Sequence, residues 1–303
     1  MTTLAVEVHG LRKQYGEVRA VDGLDLTIRQ GEVFGLLGPN GAGKSTTVEI
    51  LQGHRTRDGG EVRVLGADPA TAGRAWRSRV GIVWQDESAP AELTVRETVE
   101  HFARYYPAPR DPREVIALVG LEAEADRRVK GLSGGRRRRL DVALGVIGGP
   151  QLLLLDEPTT GFDPAARRQF WELIRQLADE GTTILLTTHY LEEAEALADR
   201  LAVVAGGRVV AEGEPAALRR RYGTGATVEW TDGPDGASRS MATDTPTRTV
   251  AELMARFDGE IPGLRVTRPT LEDVYLRVTG QQGPADGTAG PAATAPLTRK
   301  DVR

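Results

Sequence analysis

The residues best equipped for chemistry lie in two short stretches. In the first, Gly38-Pro39-Asn40-Gly41-Ala42-Gly43-Lys44-Ser45, glycines alternate with a few small or polar residues, and a lone lysine is followed by a hydroxyl. Without Cβ atoms in the way, consecutive backbone N–H groups curl around an anion, and the N-terminus of a following helix adds partial positive charge. Of the 39 basic residues only Lys13, Lys44, Lys130 and Lys300 are lysine, so a lysine inside a glycine loop stands out. The spacing is that of a loop cradling a nucleotide's phosphates: Lys44 bridges the β- and γ-phosphates, Ser45 holds Mg²⁺ and Thr46 continues the phosphate-contacting run. A bare turn with a solvated lysine needs neither that lysine nor that serine. The second stretch, Leu152-Leu153-Leu154-Leu155-Asp156-Glu157, reads as a buried strand ending in two acids. That end is where ligands bind in open α/β sheets. Asp156 suits a Mg²⁺ ligand acting through water, and Glu157 a general base orienting the attacking water. Adjacent acids also suit a solvated strand end, and it is the pairing with the glycine loop that favours chemistry.

These groups need rigid elements to hold them. Leu4 to Val8, Leu24 to Ile28 and Glu32 to Leu37 read as strands separated by turn signals at Asp22-Gly23 and Gln30-Gly31. The glycine loop follows directly, then a helical pattern from Lys44 to Leu51. Leu152 to Leu155 and Thr183 to Thr187 are apolar runs of buried parallel-strand length, with a helical stretch from Ala165 to Glu180 between them. The segment from about 87 to 139 has helical patterns broken at Pro107-Ala108-Pro109 and Asp111-Pro112, and reads as a helical subdomain. After Tyr222 the composition shifts to Gly, Thr, Asp and Pro, with strand-like pieces at Ala226 to Trp230 and Leu264 to Thr267. There Leu271, Val274, Tyr275 and Val278 form an i, i+3, i+4, i+7 stripe behind a capping pair, Thr270 and Asp273, and something must cover that stripe. Residues 281–303 carry too little apolar mass to offset the entropy of ordering and read as a disordered tail.

Leu132-Ser133-Gly134-Gly135-Arg136 resembles the signature motif of the ABC ATPases, in the expected place ahead of the acidic strand. Its Ser133 hydroxyl and the N–H groups of Gly134 and Gly135 form an anion site at a helix start. In that family this site serves the γ-phosphate bound by a second subunit. Other markers fall in order around it. Tyr15 resembles the aromatic stacked on adenine, or else a core or surface tyrosine. Gln85, after the strand Val80 to Trp84, resembles the glutamine that senses Mg²⁺ and the attacking water. Asp163 resembles the loop coupling the two sites, and His189 the histidine contacting the γ-phosphate. The resemblance spans Leu4 to about Arg221 and implies an α/β fold: a P-loop NTPase (RecA-like) core with an antiparallel β subdomain and a helical subdomain. A small α+β C-terminal domain follows. The expected division is 1–222 for the nucleotide-binding domain, 223–280 for a regulatory or dimerisation domain, and 281–303 for the tail. Two positions depart from the pattern. Arg136 replaces the usual glutamine and opens a basic run to Arg139, which is a solvated helix face, an altered nucleotide contact or a changed partner surface; Phe162 replaces a leucine, an apolar swap.

Composition bounds the partners. With 40% hydrophobic and 27% charged residues in 303, the chain is of ordinary globular make-up, and no apolar run approaches the roughly 18–20 residues that span a bilayer. Neither does it open with a secretory-signal layout, so a cytoplasmic, peripheral place on the membrane is expected. A formal charge of −4 argues against coating nucleic acid, and zero cysteines exclude disulfides and thiolate metal sites. The resemblance implies an ATPase working as a dimer of such subunits with a separate membrane permease. Pro269-Thr270-Leu271-Glu272-Asp273-Val274-Tyr275-Leu276 is similar to a segment of the daunorubicin-resistance-type exporter ATPases, which favours an ABC-2-type permease and a drug-like or lipid-like cargo. The competing reading is a non-transport ABC ATPase of ribosomes or DNA. Translation-type relatives usually carry two cassettes, where this chain has one glycine loop and one signature. Repair-type relatives insert coiled coils or zinc modules before the acidic strand, and the segment here contains no cysteine.

Overall fold

The computed structural model describes residues 3–84, 92–223, 225–232, 236–257 and 259–280. Gln85, the first residues of the segment from 87, and the tail 281–303 lie outside them. The chain opens with β1 (Leu4–Tyr15), β2 (Val18–Arg29) and β3 (Val33–Leu37), then α1 (Lys44–Leu51), β4 (Gly59–Val64), a one-turn α2 (Arg74–Arg77) and β5 (Val80–Val83). Four helical segments follow: α3 (Val95–Ala103), α4 (Pro112–Leu118) and two short 3₁₀ turns. Next come α5 (Gly134–Val146), β6 (Leu152–Asp156), α6 (Pro164–Asp179), β7 (Thr183–Thr188) and α7 (Leu191–Leu197), then β8 (Arg200–Ala205), β9 (Arg208–Gly213) and α8 (Pro215–Tyr222). The last part holds β10 (Ala226–Asp232), β11 (Ala237–Thr243), α9 (Pro246–Arg256), β12 (Arg265–Thr267) and α10 (Leu271–Val278).

The central sheet has the order β5-β6-β7-β3-β8-β9, parallel except where β9 returns antiparallel to β8. Its inner strands β3, β6 and β7 are buried along their whole length because both faces are covered, while the edge strand β9 is partly exposed. In β6 the split is visible residue by residue: Leu153 and Leu155 pack with the helical segments and α6, while Leu152 and Leu154 pack with α1 and the second sheet. That second sheet, β2-β1-β4, is antiparallel throughout. The α/β architecture expected from the motifs is therefore present, with its antiparallel sheet and helical insert.

One turn expected from sequence is not a turn. Asp22-Gly23 lies inside β2, where the pairing jumps from Leu11 opposite Leu24 to Arg12 opposite Asp22. Gly23, at φ 80°, is the extra residue of a β-bulge, which has the same need for positive φ as a turn. The reversal between β1 and β2 falls at Gly16-Glu17 instead, with Gly16 at φ 56°. Gly31, at φ 77°, does turn the chain into β3 as its sequence suggests.

Helix starts follow their capping residues. Thr94 and Glu97 cap α3 reciprocally, Asp111 caps α4 with Pro112 at the first position, and Asp163 caps α6 ahead of Pro164. The helix that opens at Gly134 runs on past Arg139 to Val146. After Tyr222, β11-β10-β12 form a small sheet covered by α9, with Val228, Trp230, Leu253 and Ile261 as its core.

The apolar stripe of α10 is covered by the cassette rather than by that small sheet. Leu271 and Val274 are buried with Leu37, Ala194, Leu201, Val203 and Leu218, and Tyr275 and Val278 pack at the margin. Thr270 and Asp273 form the reciprocal cap. Leu271→Ala is thus expected to destabilise the whole chain by about 2–5 kcal/mol, as for other buried leucines. Denaturant unfolding would register it as a lowered midpoint, and a loss under about 1 kcal/mol would show that α10 docks only loosely.

Candidate functional site

β3 lies between β7 and β8, so its C-terminal end delivers the glycine loop to the middle of the sheet edge. Gly41 takes φ 80° in open space, and Gly43 takes φ 101° with no room for a side chain: a Cβ there would come within 2.2 Å of the Ala20 carbonyl oxygen. Gly43 precedes α1 and offers no side-chain cap, which leaves the helix's first N–H groups facing the loop. Lys44 is 4% exposed, its Nζ donating to the carbonyls of Gly38 at 2.9 Å and Pro39 at 3.3 Å. Thr47 ties the base of the loop by donating to the Gly43 carbonyl at 2.8 Å.

The carboxylates of the β6 end meet this loop. Ser45 Oγ donates to Asp156 Oδ1 at 3.3 Å, and Lys44 Nζ lies 3.5 Å from Glu157 Oε1. His189 Nδ1 lies 3.3 Å from the other Glu157 oxygen. Glu157 sits at φ 44°, a left-handed backbone that costs a non-glycine residue roughly 1–2 kcal/mol. It is held there from β7: Glu157 N–H donates to Thr187 Oγ1 at 3.0 Å and to the Thr187 carbonyl at 3.2 Å. Thr187 Oγ1 in turn donates to Asp156 Oδ1. One threonine therefore orients both acids. Its signal in the sequence was only its register, directly opposite Asp156 and two residues before His189.

Lys44, Ser45, Asp156, Glu157 and His189 thus form one connected group. The convergence of a hydroxyl and a carboxylate oxygen at Ser45 and Asp156 is the donor set for a single hard divalent ion that completes its shell from phosphates and water. Ser133, Gly134 and Gly135 form a second anion-competent point at the start of α5. Ser133 is exposed at the N-cap and makes no side-chain cap bond to its own helix. Tyr15, 39% exposed at the end of β1, carries Arg55 over its ring at 5.2 Å and Lys13 at 5.6 Å. Asp163 caps α6, accepting from the N–H groups of Ala165 and Ala166 at 2.9 Å. Gln85 is outside the described residues.

The basic run divides. Arg136 pairs with Glu124 at 2.9 Å, which ties the start of α5 to the 3₁₀ turn Glu122–Glu124 of the helical insert, and Arg137 donates to the Val129 carbonyl at 3.1 Å. Arg139 donates to Gln169. Arg138 turns inward and is buried, so a solvated face does not describe it. Behind the site Glu193 of α7 is also fully buried, accepting from Trp171 Nε1 at 3.3 Å. Burial raises its pKa, against the hydrogen bonding of Thr188, Thr159 and Trp171. Neither residue was marked by sequence, since a glutamate four residues past a histidine and one arginine among four look like surface.

Comparison with known proteins gives the family and the fold. A family profile described as ABC transporter matches residues 21–160. The Nod factor export ATP-binding protein I of Rhizobium sp. (strain N33) is 40% identical over 93% of this chain and 99% of its own. The daunorubicin/doxorubicin resistance ATP-binding protein DrrA of Streptomyces peucetius is 40% identical over 94% of each. Among solved structures, the ATP-binding subunit of an ABC transporter superposes with TM-score 0.65 at 27% identity, covering 72% of this chain and 93% of that one. A cassette solved as a dimer in a post-hydrolysis state bound to ADP and Pi gives TM-score 0.62 at 25% identity, covering 69% and 98%.

Proposed function

This chain belongs to the ABC transporter ATP-binding family and is an ATPase, and from that premise we propose that it powers export of a drug-like or lipid-like compound through a separate ABC-2-type permease. The observation that supports the export reading is that its resemblance to exporter subunits runs through nearly the whole chain, past the cassette and into the residues after Tyr222. Among the described residues no helix is long and apolar enough to cross a membrane, so the path for cargo belongs to a partner. Two copies of the chain sit peripherally at the cytoplasmic face of the membrane, with no nucleic acid involved.

In this reading the glycine loop from Gly38 to Thr46, including Pro39, Asn40 and Ala42, wraps the phosphates, with Tyr15 against the adenine. Lys44 leaves its carbonyl partners to span the β- and γ-phosphates. Ser45 and Asp156, with Gln85, would hold Mg²⁺, which would supply positive charge against the phosphates. Glu157, aimed by Thr187, accepts a proton as water attacks the γ-phosphorus in line, while His189 donates to the γ-phosphate. Ser133, Gly134 and Gly135 of the second copy close over the same phosphate, and Asp163 lies at the joint between the copies. Binding energy from the phosphates favours the closed pair, and hydrolysis reopens it.

Affinity capture of the tagged chain from gently solubilised membranes of its host, with copurified chains identified by mass spectrometry, tests this. A polytopic permease is the expected companion. Ribosomes or DNA-repair proteins without a permease would overturn the transport reading.

A further inference from the structure

Arg138 is the most enclosed cation of the basic run, with 8% of its surface exposed. Its planar guanidinium meets three backbone carbonyls from two separate segments. Nε donates to Pro158 O at 3.0 Å, Nη2 to Asp156 O at 2.9 Å, and Nη1 to Trp84 O. Burying a cation among apolar neighbours is costly unless its donors are all engaged, and a fork of five N–H groups is the shape that engages several carbonyls at once. Desolvation lowers its pKa, with Asp141, Asp156 and Glu193 counteracting.

The identity of those carbonyls is what matters. Asp156 and Pro158 flank Glu157, so Arg138 grips the left-handed turn from the α5 side while Thr187 holds its N–H from the β7 side. The Trp84 carbonyl closes the segment that leads into Gln85. Arg138 itself stands a little over one turn along the helix that Ser133 opens. We propose that Arg138 is a positioning residue that clamps α5 to the backbone around Glu157 and before Gln85. Each chain's phosphate-facing helix start and its own hydrolytic groups thereby hold one fixed relation. The inference rests on the role given to Glu157 above.

The test compares full-length wild type with Arg138→Met, Arg138→Lys and Glu157→Gln in steady-state ATP hydrolysis, with circular dichroism as the check on folding. Arg138→Met is expected to lower kcat by about tenfold or more, because a displacement of the order of 1 Å at a catalytic group suffices for that. KM for ATP should stay within about twofold, since no nucleotide contact is removed. Arg138→Lys keeps the charge but not the fork, and its kcat should fall between the two. If Arg138→Met does not fold, the lysine variant decides. Wild-type kcat and KM in Arg138→Lys would overturn the proposal, as would a raised KM at unchanged kcat. Loss of folding in the lysine variant as well would also overturn it, because packing alone then accounts for the residue. Undiminished turnover in Glu157→Gln would instead remove the premise, whatever the Arg138 variants do.

Discussion

Glu157→Gln is expected to cut ATP hydrolysis by about 10²–10⁴-fold, the usual worth of a positioned general base, while leaving ATP affinity within a few-fold of wild type. The amide keeps the size of the carboxylate and its acceptor oxygen, so the turn at φ 44° and the bonds its backbone N–H donates to Thr187 need not change. It loses the capacity to take a proton from water. It also removes negative charge beside the point where the γ-phosphate arrives, so binding is not expected to weaken. Phosphate release by the purified chain measures the first effect and nucleotide titration the second. Undiminished hydrolysis would show that the base lies elsewhere.

Lys44→Ala should act on the other term. The ammonium is 4% exposed and, among the described residues, its polar partners are the Gly38 and Pro39 carbonyls and Glu157, so its charge is well placed to meet phosphate oxygens. A charge-assisted hydrogen bond contributes about 1.5–3 kcal/mol, and loss of one or more predicts ATP affinity weaker by roughly 10–150-fold. Truncation also strips the Gly38 and Pro39 carbonyls of their donor, which adds to disorder of the loop. Titration with a fluorescent ATP analogue reads this directly. An unchanged dissociation constant would mean that Lys44 serves the fold of the loop and not the nucleotide.

Much of this was legible in the sequence because the residues concerned have few other uses. Glycines at Gly41 and Gly43, a lysine between them and a helix, and four leucines closed by two acids are patterns that a neutral scaffold does not require. The bulge at Gly23 was misread as a turn because both demand the same backbone angle, and only pairing across the sheet separates them. The α10 stripe announced that it needed cover, but not that the cassette would supply it, since a helix's apolar face carries no address. Thr187, Arg138 and Glu193 act through tertiary approach: their partners lie on other strands and helices, and nothing in their neighbours along the chain marks them. Arg136 shows the converse, a departure in a signature motif whose ion pair with Glu124 keeps it within its own subdomain.

The claim on which the rest depends is that two copies of this chain share each nucleotide, the glycine loop of one facing Ser133 of the other. The most direct test is the mass of the Glu157→Gln chain by light scattering, with Mg²⁺ and ATP and then with ADP. A doubled mass with ATP that falls back with ADP is expected. A single-chain mass at ATP concentrations that saturate binding would contradict the shared site.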